Sequence, residues 1–369
     1  MDHVSLAAIP WGEISASYGD AFPMHAVLSP EGEVLDKKAL DQVPEETLVE
    51  LMEDMVWAHV FDQRIIMLNR QGALGNYAPA GGQEASQFAS LKALDATDLL
   101  IPTYRDLAPL IKHGVPMHQA FLWWRGHIEG NAYPEDVSAW VPQVIVGATA
   151  MHAVGAAMAM ARKGEKRVAL ALLGDGATSQ GDFYEGLNFA GVYKAPVIAL
   201  IQNNQYAISV PVVNQTAAHT LAQKGVAAGA PAVRVDGNDP VAMYLTVKSA
   251  REYALAGNGP VLIEAVTYRS GSHTMSDEPS RYRGDDEVEL WTNKSALRRL
   301  REVLVAAGKW EIEREEQIAE EVKAEIKEAL KLMGQTPAQK VTDFLSVMYE
   351  TPPATLAEQI ETYAAKEAN

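Results

Sequence analysis

The chain of 369 residues contains no cysteine. That excludes a disulfide framework, a thiolate metal centre and a cysteine nucleophile, and it fits a reducing compartment. Positive charge is scarce. Lys and Arg number 31 against 48 Asp and Glu, a formal net charge of −17, which argues against a nucleic-acid backbone as partner. No apolar run approaches the ~18 residues that span a bilayer. The first basic residue is Lys37, so the sequence shows neither a basic signal region nor an Arg-rich transit segment, and a cytoplasmic protein is expected. The G-x-x-x-x-G-K-[ST] phosphate loop is missing as well, which disfavours a P-loop nucleotidase.

What is present reads as a globular chain, 48% apolar with mixed charge. Residues 1–43 have mixed polarity, with turn signals at Tyr18-Gly19-Asp20 and Ser29-Pro30-Glu31-Gly32, and suggest an irregular arm. Apolar residues at helical spacing predict a long helix over 45–70 and a second over 82–94, with a short strand entering a loop and helix over 98–107. Residues 147–163 are small or apolar almost all round, which predicts a buried helix that lets another backbone come close. Strands then alternate with helices: strand 167–173, helix 182–193, strand 196–202, helix 218–229, strand 232–235, helix 240–256 and strand 260–267. That alternation predicts an α/β fold with a parallel sheet and right-handed crossovers. A polar loop follows over 268–287. From about 294 the chain is helical, and its Glu/Lys-rich stretch 313–333 reads as a solvated helix with i,i+4 pairs.

The informative stretch is "GDGATSQGDFYEG" (174–186), which closes the apolar strand "RVALALL". In a parallel sheet, ligands gather at the carboxyl ends of strands. The glycines allow close backbone approach, and the helix that follows offers N–H groups to a phosphate. Asp175 would repel that phosphate unless a hard divalent cation such as Mg²⁺ stood between them. The next strand ends in "IQNNQYAI", with Asn203 and Asn204 at its tip, 26 residues beyond the GDG. One crossover unit of that length places the two loops side by side, so the carboxylate and an asparagine oxygen can share one ion.

The pair matches the thiamine-diphosphate motif. The segments "GDGATSQGDFYEGLNFAG", "QNNQYAISVP", "YRDLAPLIKHG", "NRQGALGNYAPAGGQEASQ" and "SHTMSDEPSRYR" together resemble the alpha subunits of the decarboxylating first component of 2-oxo acid dehydrogenase complexes, most closely the bacterial pyruvate dehydrogenase type. The resemblance runs from about residue 20 to the end. It implies a thiamine-diphosphate-binding fold over 44–290, a parallel sheet flanked by helices, between the irregular N-terminal arm and a helical C-terminal region over 291–369. It implies Mg²⁺ held by Asp175, the Asn204 side chain and the Tyr206 carbonyl. Gly174, Gly176 and Ala177 would surround the cofactor, Tyr104 and Arg105 grip its diphosphate, and the backbone of Val144 and Val146 meet its aminopyrimidine.

The same resemblance gives His273 a place beside the cofactor, assisting acyl transfer to lipoamide. It puts Asp182 and Glu185 in an acidic channel between the two cofactors of a tetramer, and Tyr282 and Arg283 in a loop that closes over the site and meets the lipoyl domain. The implied activity is oxidative decarboxylation of pyruvate with reductive acetylation of lipoamide. The implied partners are a beta subunit in a two-alpha two-beta tetramer, the lipoyl domain and acyltransferase core, and a 2-oxo acid substrate. Branched-chain 2-oxo acids or acetoin are the alternative substrates, and a non-catalytic cofactor-binding scaffold is the alternative of another class. The chain departs from the pattern at Asn76, where an aromatic is common, and at Ser270 and Ser272. Thr274, Ser276 and Ser280 stand where mitochondrial relatives are phosphorylated and are read here as ordinary polar loop residues.

Overall fold

The structure, a computed structural model, describes residues 20–368. Most of the turn expected at 18–20, and the arm up to residue 19, lie outside the described residues. Six strands, β1 (Met24–His25), β2 (Leu99–Ile101), β3 (Ala169–Gly174), β4 (Val197–Asn203), β7 (Ala232–Asp236) and β8 (Val261–Val266), form one sheet in the order β1-β7-β8-β4-β3-β2. Every neighbouring pair is parallel. The remaining strands, β5 (Tyr206–Ala207) and β6 (Val210–Pro211), make a small antiparallel hairpin just after β4. The expected α/β class and parallel sheet are therefore found. β3 and β4 are buried along nearly their whole length, because helices cover both faces of the sheet, and that is why they read as unbroken apolar runs.

The segment from 20 to 43 belongs to the sheet's edge. Met24 pairs with Arg234 and His25 with Val235, Val27 and Leu28 are buried, and the expected turn closes through Gly32 N donating to the Ser29 carbonyl at 3.0 Å. Buried Asp239 secures the segment. One oxygen caps the helix Pro240–Tyr253 by accepting from Val241 N and Ala242 N at 3.0 Å each, and the other accepts from Val27 N at 2.6 Å and Leu28 N at 2.7 Å.

Three expectations need revision. The helix expected over 218–229 is a 3-10 run, Ala222–Ala228, ended by Gly229 in the left-handed region. The small-residue helix, Ala148–Arg162, is buried on one face only (Ala150, Ala153, Val154 and Ala157), and Gly155 is exposed. Close approach does occur: a Cβ on Gly186 of the helix Gly181–Tyr193 would sit 3.1 Å from Met151 N. The Glu/Lys-rich helix, Ile312–Gln335, is not simply solvated. Ile318, Val322, Ile326, Ala329 and Met333 recur at three- and four-residue spacing and are buried, with Trp57 Nε1 donating to Glu325 at 2.8 Å across the joint with the helix Glu45–Arg70. Of its internal ion pairs, Glu320–Lys323 and Glu328–Lys331 are i,i+3, and Arg314–Glu321 spans seven residues.

Candidate cofactor site

Gly174 and Gln202 are register partners in β3 and β4, so the two strands end level and the GDG and NN loops leave the sheet side by side. β4 presents its last residues alternately. Asn203 turns back and donates to buried Glu264 at 2.8 Å, which leaves Asn204 to face Asp175. Gln205 then takes φ +76°, a left-handed turn uncommon outside glycine, and the chain doubles back into the hairpin at Tyr206.

Three oxygens meet there. With its Nδ2 donating to Gln83 Oε1 at 2.8 Å, Asn204 turns Oδ1 to 3.2 Å from Asp175 Oδ1 and 3.1 Å from the Tyr206 carbonyl oxygen; turned over, its nitrogen would donate to both. The donor that Oδ1 meets is the Tyr206 N–H, at the long distance of 3.4 Å. Oxygens without intervening hydrogens repel, and a hard cation turns such a cluster into a coordination shell. The donor set fits Mg²⁺: one carboxylate, one amide and one backbone carbonyl. Asp175 is 1% exposed. Burial pushes its carboxyl up, and the foremost opposing influence is the hydrogen bond from Gln215 Nε2, 2.5 Å from Oδ2. Among the described residues no cluster of three or more His, Asp or Glu offers a metal site, so one carboxylate plus neutral oxygens is the arrangement available.

Beside these oxygens opens a cavity of about 490 Å³. Gly174, Asp175, Gly176 and Ala177 line it from the β3 side, with Asn204 and Tyr206 from the β4 side. Tyr104, Arg105 and His273 form another wall, and the exposed Val144 and Val146 stand at the rim. Every residue expected around the cofactor is thus brought to one cavity. Asn76, the departure from the pattern, lines it too.

Arg105 is buried and already engaged. One terminal nitrogen donates to the Pro79 carbonyl at 2.5 Å, and the other to His273 Nδ1 and the His273 carbonyl, each at 3.1 Å. Its guanidinium carbon lies 5.7 Å from the centre of the Tyr104 ring, and that ring meets the imidazole edge-on at 6.0 Å. Burial, then Arg105 and Arg269, lower the His273 pKa to about 4.

Four expected residues lie elsewhere. Asp182 and Glu185 are exposed on the helix Gly181–Tyr193, outside the cavity lining. Tyr282 and Arg283 also stay behind the wall. The Tyr282 hydroxyl accepts from Arg269 at 2.8 Å and donates to Asp277 at 2.6 Å, and Asp277 in turn accepts from His273 N at 2.7 Å. Arg283 donates to the carbonyls of Arg269, Ser270 and Gly271. The pair holds the loop that carries His273.

Sequence reasoning passed over Gln83, Gln215 and Asp106. Gln83 and Asp106 are buried; Asp106 accepts from Thr103, Gln87 and Gln202, which oppose the upward push of its burial. One signal was available, since Gln83, Ser86, Gln87 and Ser90 recur at three- and four-residue spacing, a stripe of uncharged polar residues along the helix Glu84–Lys92 and its cap.

Residues 52–342 match the family described as dehydrogenase E1 component. The chain is 50% identical over 348 residues, 94% of each chain, to the pyruvate dehydrogenase E1 component subunit alpha of Staphylococcus aureus (strain Mu50). It is 49% identical over the same share to the protein of that name from Staphylococcus epidermidis (strain RP62A). By fold, site and sequence, this chain belongs to the dehydrogenase E1 component family.

Proposed function

We propose that the chain is the alpha subunit of a pyruvate dehydrogenase (acetyl-transferring) that uses thiamine diphosphate and Mg²⁺. The convergence of the Asp175, Asn204 and Tyr206 oxygens beside the cavity carries this reading, and the names of the Staphylococcus relatives support the choice of pyruvate. Bound there, the cofactor supplies the electron sink that lets a 2-oxo acid lose CO₂.

The chain's own residues hold and orient. Asp175, Asn204 and the Tyr206 carbonyl would ligate the cation. Gly174 and Gly176 line the cavity without side chains; a Cβ on Gly174 would stand in open space, and one on Gly176 would lie 2.7 Å from that of Ala207, so the loop and hairpin can close on a diphosphate only with glycine there. Arg105 contributes positive charge at the wall, with Tyr104 beside it. His273 accepts at Nδ1 from Arg105, so Nε2 carries the proton and is the nitrogen able to donate during acyl transfer to lipoamide.

The cofactor reading assigns 44–290 as the binding domain and 291–369 as a helical region packed on it. A beta subunit would complete the site in a two-alpha two-beta tetramer. Tyr184, Phe189, Val192 and Tyr193, exposed along the helix Gly181–Tyr193, support a covered face there, and Asp182 and Glu185 on the same helix would then line the channel between cofactors. The lipoyl domain and acyltransferase core are the further partners, Tyr282 and Arg283 shaping the loop that meets them. Among the described residues no helix is long and apolar enough to cross a membrane, and we place the protein in the bacterial cytoplasm.

The test is CO₂ release from pyruvate and from branched 2-oxo acids by the chain co-purified with its beta subunit, with and without thiamine diphosphate and Mg²⁺. Cofactor-dependent turnover that Asn204→Ala abolishes is the expected result. Preference for branched acids would move the substrate, and no turnover by an assembled, cofactor-saturated complex would refute the catalytic reading.

A further inference from the structure

Asn204 has two ways to sit. As it stands, its oxygen faces Asp175 Oδ1 and the Tyr206 carbonyl. Swapped, its nitrogen would donate to both, at 3.2 and 3.1 Å. The swapped form satisfies the site without a cation, and only the present form can bind one. Nothing in the Asn204 side chain itself selects between them.

The selection comes from behind. Asn204 Nδ2 donates to Gln83 Oε1 at 2.8 Å, Gln83 Nε2 donates to Gln202 Oε1 at 2.9 Å, and Gln202 Nε2 donates to Asp106 Oδ1 at 2.8 Å. All four side chains are buried and bonded directly to one another, with Asn204, Gln83 and Gln202 also bordering the cavity. In such a chain each amide dictates the orientation of the next, and a flip at one end requires a flip at all. Asp106 is the only member that is not an amide. Its Oδ2 accepts from the backbone N–H of Thr103 at 2.7 Å and the Thr103 hydroxyl at 2.6 Å, while Oδ1 accepts from Gln87 Nε2 at 2.8 Å as well as from Gln202.

We infer that Asp106 is a positioning residue which, through Gln202 and Gln83, aims the Asn204 oxygen at the cation. The inference rests on the cofactor reading above. It also makes an isosteric change decisive. In Asp106→Asn, the Thr103 backbone N–H cannot turn round, so the new oxygen must stay at the Oδ2 position. The new NH₂ then faces both Gln202 and Gln87, so each must present its oxygen, Gln87 giving up its 3.3 Å bond to the Arg105 carbonyl. Gln83 follows, and Asn204 ends with its nitrogen on Asp175 and Tyr206. A change two amides away thus closes the site to a cation while the apo site becomes better satisfied.

The same logic names a rescue. In the reversed chain Gln83 offers its NH₂ to residue 204, which suits a carboxylate. Asn204→Asp therefore meets a repelling Gln83 oxygen in the native chain and a donor in the Asp106→Asn chain.

The full chain, assembled with its beta subunit and stripped of cofactor, is titrated with Mn²⁺ at saturating thiamine diphosphate, and free Mn²⁺ is read by electron paramagnetic resonance. Asp106→Asn is expected to weaken Mn²⁺ binding about 10- to 100-fold, the range for partners behind a ligand. Asn204→Asp alone is also expected to weaken it, and the double variant to recover most of the loss, which a merely structural role for Asp106 would not produce. Equal Mn²⁺ affinity in wild type and Asp106→Asn, or a double variant as weak as the singles combined, overturns the inference. If Asp106→Asn does not assemble, Gln83→Met removes the middle link, and unchanged Mn²⁺ affinity there overturns it equally. Wild type that holds no Mn²⁺ would instead refute the cofactor reading, and this inference with it.

Discussion

Arg105 Nη2 lies 3.1 Å from His273 Nδ1, and because a guanidinium can only donate, that contact decides the state of the imidazole. Nδ1 must accept, the proton sits on Nε2, and a second proton would have to be added against Arg105 and Arg269. Burial of the ring, and then Arg105 and Arg269, lower the pKa of His273 to about 4. The folded protein thus binds the second proton less readily than the unfolded chain, whose ordinary value is about 6.5. Its contribution to stability is intact above pH 6.5 and is lost as pH falls through that window toward 4.

Proton NMR of the His273 ring checks this directly. The expected titration midpoint is near 4 in the wild type, with an upward shift in Arg105→Gln. An ordinary midpoint in the wild type would show that Arg105 does not control the ring.

Asp175 separates stability from function. Burial raises its carboxyl, so the folded chain binds that proton more tightly than the unfolded one. The associated stability is present at low pH and declines as pH rises above the ordinary carboxylate range. Asp175→Asn removes this cost and, on the proposed cofactor reading, the one charged ligand among the three oxygens. The cofactor-free melting temperature at pH 7 should hold or rise, while Mn²⁺ affinity and CO₂ release fall at least about 100-fold. A variant that melts lower yet still turns over would contradict both halves.

Gly82 is the position where backbone geometry permits no side chain. Its φ is +91°, and a Cβ there would meet the Tyr268 carbonyl oxygen at 2.2 Å. Thr267 Oγ1 donates to the Gly82 carbonyl at 2.6 Å and Ser270 N to that of Gly81 at 3.0 Å, so this turn locates the stretch leading to His273. Gly82→Ala combines a left-handed strain with a backbone clash, about 2–4 kcal/mol together. Urea unfolding should show that loss, and a cost under about 0.5 kcal/mol would mean the turn is not held as described.

Much of this site was legible because it depends on chain order. An acid after one apolar strand and an amide after the next must be neighbours once the strands pair in parallel, and Gly174 opposite Gln202 is that outcome. What stayed hidden depends on contacts between distant segments. β1 is two exposed residues without a pattern, and only its pairing with β7 and the grip of Asp239 make it a strand. The run 222–228 looked helical because Ala and Lys favour helix, yet the buried Glu264 takes the Ala222 N–H at 2.9 Å and buried Lys224 ties to Thr178 at 2.9 Å, a tertiary choice. Gln83 and Gln202 are polar residues whose partners are each other, 119 positions apart, and no local pattern announces that.

Substrate choice is the last prediction, and it rests on Asn76. The residue lines the cavity with Trp124, and its neighbour Gly75 is pressed against the Trp124 backbone, where an added Cβ would lie 2.1 Å from the carbonyl oxygen. The Asn69 side chain donates to the Gly75 carbonyl as well. The backbone is therefore held, and a larger side chain at 76, an exposed residue of the lining, has the mouth of the cavity to fill. Asn76→Phe should leave small 2-oxo acids room and exclude branched ones. Discrimination by a methylene or two in an apolar pocket is worth roughly 10- to 200-fold. The ratio of kcat/KM for pyruvate over a branched-chain 2-oxo acid should therefore rise by about tenfold or more in Asn76→Phe, with Mn²⁺ affinity unchanged because the proposed cation's oxygens come from the residues just after β3 and β4 and from the hairpin. A ratio that does not move would place the acyl-selecting surface away from residue 76, on the side that the proposed beta subunit would supply.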